Sequence, residues 1–188
     1  EISGLRVGGT VTQVAETAPA PVDVLDLPAG VTWSTANQEF TLDPTDGAYQ
    51  TLAVGDQANV AVNYTIEDGN GGSVAQTATW TVTGTNDGPT VAAALAETVT
   101  EDGGASTVNL LQGAGDVDTG DVLTINIGDP AALPGGVTFN AGTNELTLDP
   151  SDAAYQTLAD GATATVELSY NIVDDNGGSV AQTATWTV

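Results

Sequence analysis

The thirteen residues Asn70–Val82, NGGSVAQTATWTV, return letter for letter at Asn176–Val188. Laid over itself at that offset of 106 residues, the chain aligns Leu27–Val82 with Leu133–Val188 without a gap, and 36 of those 56 positions are identical. A period near 100 residues is longer than a solenoid unit of roughly 20–50 residues and matches the size of an ordinary domain. The chain therefore reads as two tandem copies of one module, 1–86 and 87–188, each large enough for a modest core of its own.

The periodicity inside each copy is that of strands. In ATATVELSYNIVD, Ala164, Val166, Leu168, Tyr170 and Ile172 share one face, and Thr163, Thr165, Glu167, Ser169 and Asn171 share the other. Val60, Val62, Tyr64 and Ile66 repeat the pattern in the first copy. Alternation with period two marks a half-buried antiparallel strand. The repeated segment is the next strand, with Ala78, Trp80 and Val82 facing one way and Thr77, Thr79 and Thr81 the other. EDGNGG and DDNGG between these strands suit hairpin turns. Further strands are expected at Thr90–Thr100, Ser106–Leu111, Val122–Ile127, Gly136–Asn140 and Glu145–Leu148. Seven short strands with regular turn signals predict an all-β fold, two immunoglobulin-like sandwiches joined end to end. DPTDGAYQTL and DPSDAAYQTL break the pattern and read as Pro-started helical turns crossing between sheets. Tyr49 and Tyr155 just after them read as corner tyrosines that pin the crossing. The counterpart of Thr90–Ser106 would precede Glu1, so the first copy either lacks its first strand or builds it differently from Glu1–Thr12.

Charge narrows the function. There are 25 acidic residues against one base, Arg6, with no Lys, His or Cys, and the formal net charge is −24. Such a chain repels nucleic acid and anionic membrane surfaces. Disulfides and thiolate metal sites are absent, and no apolar run is long enough to span a bilayer. Alternating strand directions place the Gly115–Asp121 loop and the Asp174–Gly178 hairpin at one end of the second module. The stretch LDPSD falls at the opposite end. Stacking two modules then brings together Asp43 and Asp46 of the first copy, Asn86 and Asp87 of the linker, and Asp116, Asp118 and Asp121 of the second. Two carboxylates about 4 Å apart repel by roughly 1 kcal/mol in water and about 4 kcal/mol near a protein surface. A hard divalent cation relieves that repulsion. Calcium takes six to eight oxygens in irregular geometry, whereas zinc and copper favour the His and Cys that this chain lacks. Asp174 and Asp175, in a hairpin that also suits a simple turn, are further candidates.

The segments GTNDGP, LPAGVT and LPGGVT, TLDPTDGAYQTL and TLDPSDAAYQTL, and DDNGGS followed by TWTV together resemble the VCBS-type, cadherin-like repeats of giant bacterial adhesins, including the extender regions of RTX adhesins. The resemblance covers the second copy and the first from about Leu27. It implies a calcium-rigidified string of immunoglobulin-like domains on the bacterial cell surface, holding an adhesive tip away from the cell. It also implies roles. Asn86 and Asp87 match the metal-binding linker motif, Asp116 and Asp118 the DxD motif, and Asp43 and Asp46 the acidic motif near the lower end. Glu101 matches the glutamate ending a first strand, with Asp149 and Asp152 at the next junction. The partners implied are neighbouring repeats of the same chain, the fragment itself being a monomer. Where the second copy has Asp116 and Asp118, the first has Thr10 and Thr12.

Catalysis is not expected, because acid–base work would fall to carboxylate pairs and the chain is poor in aromatic residues to wall a cleft. A glycan-binding module is the stronger rival, since Trp33, Trp80 and Trp186 could stack on sugars. Trp80 and Trp186 alternate in phase with Ala and Val, which favours burial. The Thr77–Thr83 and Thr183–Thr187 ladders raise ice binding as a third reading, although Thr is favoured on open sheet faces.

Overall fold

The computed structural model describes residues 4–7, 10–12, 14–15, 18–19, 27–67 and 70–188. The chain divides into two compact units, Glu1–Thr85 and Asn86–Val188. The first contains β1 (Gly4–Val7), β2 (Thr10–Thr12), β3 (Val14–Ala15), β4 (Ala18–Pro19), β5 (Val31–Ser34), β6 (Glu39–Leu42), β7 (Gln57–Glu67) and β8 (Ser73–Thr83). The second contains β9 (Thr90–Val91), β10 (Leu95–Thr98), β11 (Ser106–Asn109), β12 (Ala114–Gly115), β13 (Thr124–Asn126), β14 (Val137–Asn140), β15 (Glu145–Leu148), β16 (Thr165–Val173) and β17 (Ser179–Thr187). A single turn of 3-10 helix at Pro130–Ala132 is the only helix among the described residues. None is long and apolar enough to cross a membrane.

In the second unit one sheet runs β10-β17-β16-β13 and the other β11-β15-β14, with β9 and β12 paired beside them. The inward residues of both sheets form one core. Val108, Val137, Leu146 and Leu148 come from one side, and Val166, Tyr170, Ile172, Ala184 and Trp186 from the other. This is the expected sandwich. Each fully buried large side chain here contributes about 1.5–3 kcal/mol relative to exposure. The Tyr170 hydroxyl donates to Leu110 O at 3.0 Å, and burial pushes its pKa up to about 12.

Three expectations are corrected. The expected strand Thr90–Thr100 is two strands. β9 pairs with β12 and β10 runs parallel to β17, so the chain changes sheets across Ala92–Ala94. The strand expected at Val122–Ile127 shrinks to Thr124–Asn126. The acidic crossings are chains of turns, not helical turns. Asp152 N donates to Asp149 O, Tyr155 N to Asp152 O and Leu158 N to Tyr155 O. The Asp149 carboxylate accepts from Ser151 N, and that of Asp152 from Ala154 N. Such local side-chain bonds compete with helix formation. The corner tyrosines behave as expected. Tyr155 OH donates to Gly135 O, and Tyr49 OH to Ala29 O. Gly136 supports this corner with φ +73°, and a Cβ there would lie 2.6 Å from Asp149 O.

Asp43 and Asp149 have pKa values lowered by hydrogen bonds from the hydroxyl and N–H of Thr45 and Ser151. A folded pKa below the model value of 3.8 means stability that is present above that pH and lost as pH falls through the folded pKa. Asp149→Asn should therefore flatten the acid limb of a stability–pH curve below about pH 4. Urea titrations at pH 5 and pH 3 check this.

The first unit has a smaller core of Val31, Tyr49, Val60, Val62 and Val82. Its main sheet runs β2-β1-β7-β8. β1 holds Gly4 opposite Glu67, the register β13 holds on β16 with Thr124 opposite Val173. β1 and β2 therefore flank β7 on the side away from β8, and neither stands where β10 stands in the second unit. Residues 68 and 69 of the expected EDGNGG hairpin lie outside the described residues.

Candidate metal centre

The acidic groups of the second unit converge as the spacing DVDTGD suggests. Asp116, Asp118 and Asp121 each bring a carboxylate oxygen within 4.8 Å of the others. They follow β12, where the chain leaves the sheet and winds before β13. Asp118 is only 4% exposed.

The hydrogen bonds follow one rule. Asp116 Oδ1 accepts from Asp118 N at 3.0 Å, and Asp118 Oδ2 accepts from Asp87 N at 2.8 Å. Asp121 Oδ1 accepts from Asn176 Nδ2 at 3.0 Å. Asn86 Nδ2 donates to Asp174 Oδ2 at 3.1 Å. The second oxygen of each group, Asp116 Oδ2, Asp118 Oδ1, Asp121 Oδ2 and Asn86 Oδ1, is buried with no hydrogen-bond partner. Buried polar atoms are nearly always satisfied, and a buried bare carboxylate oxygen is costly. Four such acceptors at one end of a sandwich, with no donor left to meet them, fit a hard cation that takes oxygen ligands.

Electrostatics agree. The Asn176 hydrogen bond lowers the Asp121 pKa, but desolvation and the charges of Asp175, Asp116 and Asp118 together outweigh it and raise the pKa. Asp174 goes the other way. Desolvation raises its pKa, and hydrogen bonds from Asn86, Gly178, Asn176 and Gly177 reverse that into a net lowering. Asp174 thus reads as a buried anchor for the hairpin. Its Oδ1 accepts from Asn176 N and Gly178 N, both at 2.8 Å. Asp175 Oδ1 accepts from Val122 N at 3.1 Å.

Two residues essential to this arrangement were not singled out by the sequence. Asn176 orients Asp121, and Gly178 lets the linker lie against the hairpin. A Cβ on Gly178 would stand 2.3 Å from Asp174 Oδ2, 2.8 Å from Gly88 Cα and 3.0 Å from Asn86 Nδ2. Loss of residues that orient metal ligands commonly costs 10–100-fold in affinity. Gly178→Ala and Asn176→Ala should each weaken calcium binding by at least about tenfold, as read by titration calorimetry, with the circular dichroism of the sandwich kept.

The remaining candidates stand apart from this cluster. At the other end of the second unit Glu101 Oε2 is buried without a partner, and Gln156 Nε2 donates to both Glu101 O and Pro150 O. Asp149 and Asp152 cap their own turns there. In the first unit Asp43 Oδ1 accepts from Thr45 N and Oγ1, and Asp46 Oδ1 from Ala48 N. Trp186 is 1% exposed and its Nε1 donates to Ser106 Oγ at 3.1 Å, so it offers no face to a sugar. Trp33 packs on Phe40 with ring centroids 4.5 Å apart.

Among solved structures, the protocadherin GammaB4 extracellular domain covers 97% of this chain and 27% of its own length, at 14% identity and a TM-score of 0.46. The mouse clustered PcdhgC3 EC1-3 structure covers 98% of this chain and 54% of its own, at 13% identity and 0.46. An endo-fucoidan hydrolase from glycoside hydrolase family 107 covers 100% and 28%, at 21% identity and 0.36. This chain thus spans about a quarter to a half of those chains. No curated protein matches it. The description of the cadherin-like domain matches residues 85–188, more than half of the sequence and the whole of the unit that carries the carboxylate cluster, so the chain belongs to the cadherin-like domain family.

Proposed function

We propose that this chain is a calcium-stiffened spacer from a bacterial cell-surface adhesin of the VCBS or RTX type, holding a distal adhesive domain away from the cell. Cadherin-like domains are extracellular and generally bind Ca2+, which makes an adhesive or structural module outside the cell the natural setting. The observation that carries the reading is the set of four bare, buried oxygens on Asn86, Asp116, Asp118 and Asp121. These residues would hold the ion, and the ion would supply positive charge to a cluster with no base of its own. Four side-chain oxygens leave coordination positions open in a shell of six to eight. Asp43 and Asp46 of the preceding module would fill some of them, and Glu101, Asp149 and Asp152 would serve the following junction. A repelling hinge would then become a strut. Extracellular calcium modules bind at roughly 10⁻⁴–10⁻³ M, so the joint would be rigid outside a cell and loose inside one.

Small-angle scattering of the chain in millimolar calcium and in EDTA tests the strut. The expected result is a narrow distance distribution that shortens or broadens on chelation. Superimposable curves, with calorimetry showing the ion bound, would leave a metal site but no strut.

A further inference from the structure

The chain contains its own comparison of one sequence in two surroundings. Ser73–Val82 and Ser179–Val188 are both SVAQTATWTV. In the second unit Gln182 is 8% exposed, Ala184 0% and Trp186 1%. In the first, Gln76 is exposed, Ala78 and Trp80 are half-buried, and Val74 is 51% exposed. None of the ten positions is more buried in the first unit than in the second.

The difference lies at the strand edge. β10 runs parallel along β17, with Leu95 opposite Ala184 and Thr98 opposite Thr187. Val99 N donates to Thr187 O at 2.9 Å. The approach to β10 also satisfies Gln182, whose Nε2 donates to Ala93 O at 2.6 Å. Leu95 and Val99 pack on the core of that unit. In the first unit β8 is the last strand of its sheet, and among the described residues nothing pairs with its outer edge. The surface that receives β10 is therefore present in duplicate, identical in sequence, and one copy is open.

We propose that the outer edge of β8 is an acceptor for a parallel β-strand with the spacing of Val91, Leu95 and Val99. Edge strands present rows of unpaired N–H and C=O groups that template another chain, and strand addition draws affinity from those bonds and specificity from alternate side chains. The occupant follows from what the same ten residues hold in the second unit. It is an extended segment, apolar at its inward positions, nearly uncharged and running in the same direction as β8. Residues 90–100 carry a single acidic group, Glu97, so such a strand approaches this anionic chain with little repulsion.

The test uses the intact chain and a synthetic peptide, TVAAALAETVT, copied from residues 90–100. Amide hydrogen exchange is followed in the segments 73–83 and 179–187 as peptide is added. The expected result is saturable slowing, by roughly tenfold or more, confined to 73–83, since added strand pairing protects edge amides. A peptide with proline in place of its leucine should give none, because proline removes a ladder donor. The proposal is overturned if 73–83 is already as protected as 179–187 before peptide is added. It is equally overturned if the peptide leaves 73–83 unchanged, protects both segments alike, or works as well with proline.

Discussion

Asp118→Ala is expected to erase the stabilisation that calcium gives the second unit. A ligand present at about 100 times its dissociation constant stabilises the folded state by about 2.7 kcal/mol. For a domain near 100 residues each kcal/mol moves Tm by about 4–8 °C. Ten millimolar calcium acting on a site of about 10⁻⁴ M should thus raise Tm by roughly 10–20 °C. The variant should show almost none of that rise. Asp118 is the choice because it is 4% exposed, its Oδ1 is bare and its Oδ2 ties down the linker through Asp87 N. Asp118→Asn separates charge from shape. It can still accept from Asp87 N, and its apo form should melt close to the parent while its calcium response is lost. Scanning calorimetry with and without calcium reads both.

The second large effect is a contrast between identical residues. Trp186→Ala should cost about 3–5 kcal/mol, the usual range for truncating a buried aromatic residue. Trp186 is 1% exposed, lies in the main core and loses a hydrogen bond to Ser106 as well. Trp80 has the same neighbours in sequence but is half-buried, against a core of five buried residues. Trp80→Ala should cost less than half as much, because the stabilising term follows the apolar area removed from water. Denaturant unfolding of each variant, with the two units resolved as separate transitions, gives the comparison. Equal losses would mean that burial at β8 equals that at β17.

Much of this architecture was legible because it rests on local periodicity. Alternation in Thr163–Asp174 and Ser179–Val188 fixed two strands and their buried faces, and Tyr155 marked the crossing. Asp116, Asp118 and Asp121 were legible as a cluster because a six-residue loop cannot spread three carboxylates far apart. Other features depend on partners that no local pattern encodes. Ala92–Ala94 has no periodicity, so the change of sheet that splits the first strand left no trace. Asn176 and Gly178 sit where any hairpin would place Asn and Gly, and their second duty, bonding Asp121 and admitting the linker, appears only when the loops are side by side. The acidic turns were misread as helical because proline at a helix start and aspartate capping a turn look alike in sequence. The unequal burial of SVAQTATWTV is invisible in principle from those letters, since they are the same letters.

The centre of the account is a cation held by one end of the second unit. A crystal structure from calcium-containing solution, with anomalous scattering recorded at long wavelength, addresses it directly. The account predicts a peak within calcium–oxygen distance, about 2.3–2.6 Å, of Asp116 Oδ2, Asp118 Oδ1, Asp121 Oδ2 and Asn86 Oδ1. Those four atoms bonded only to water, with no anomalous peak at millimolar calcium, would contradict it.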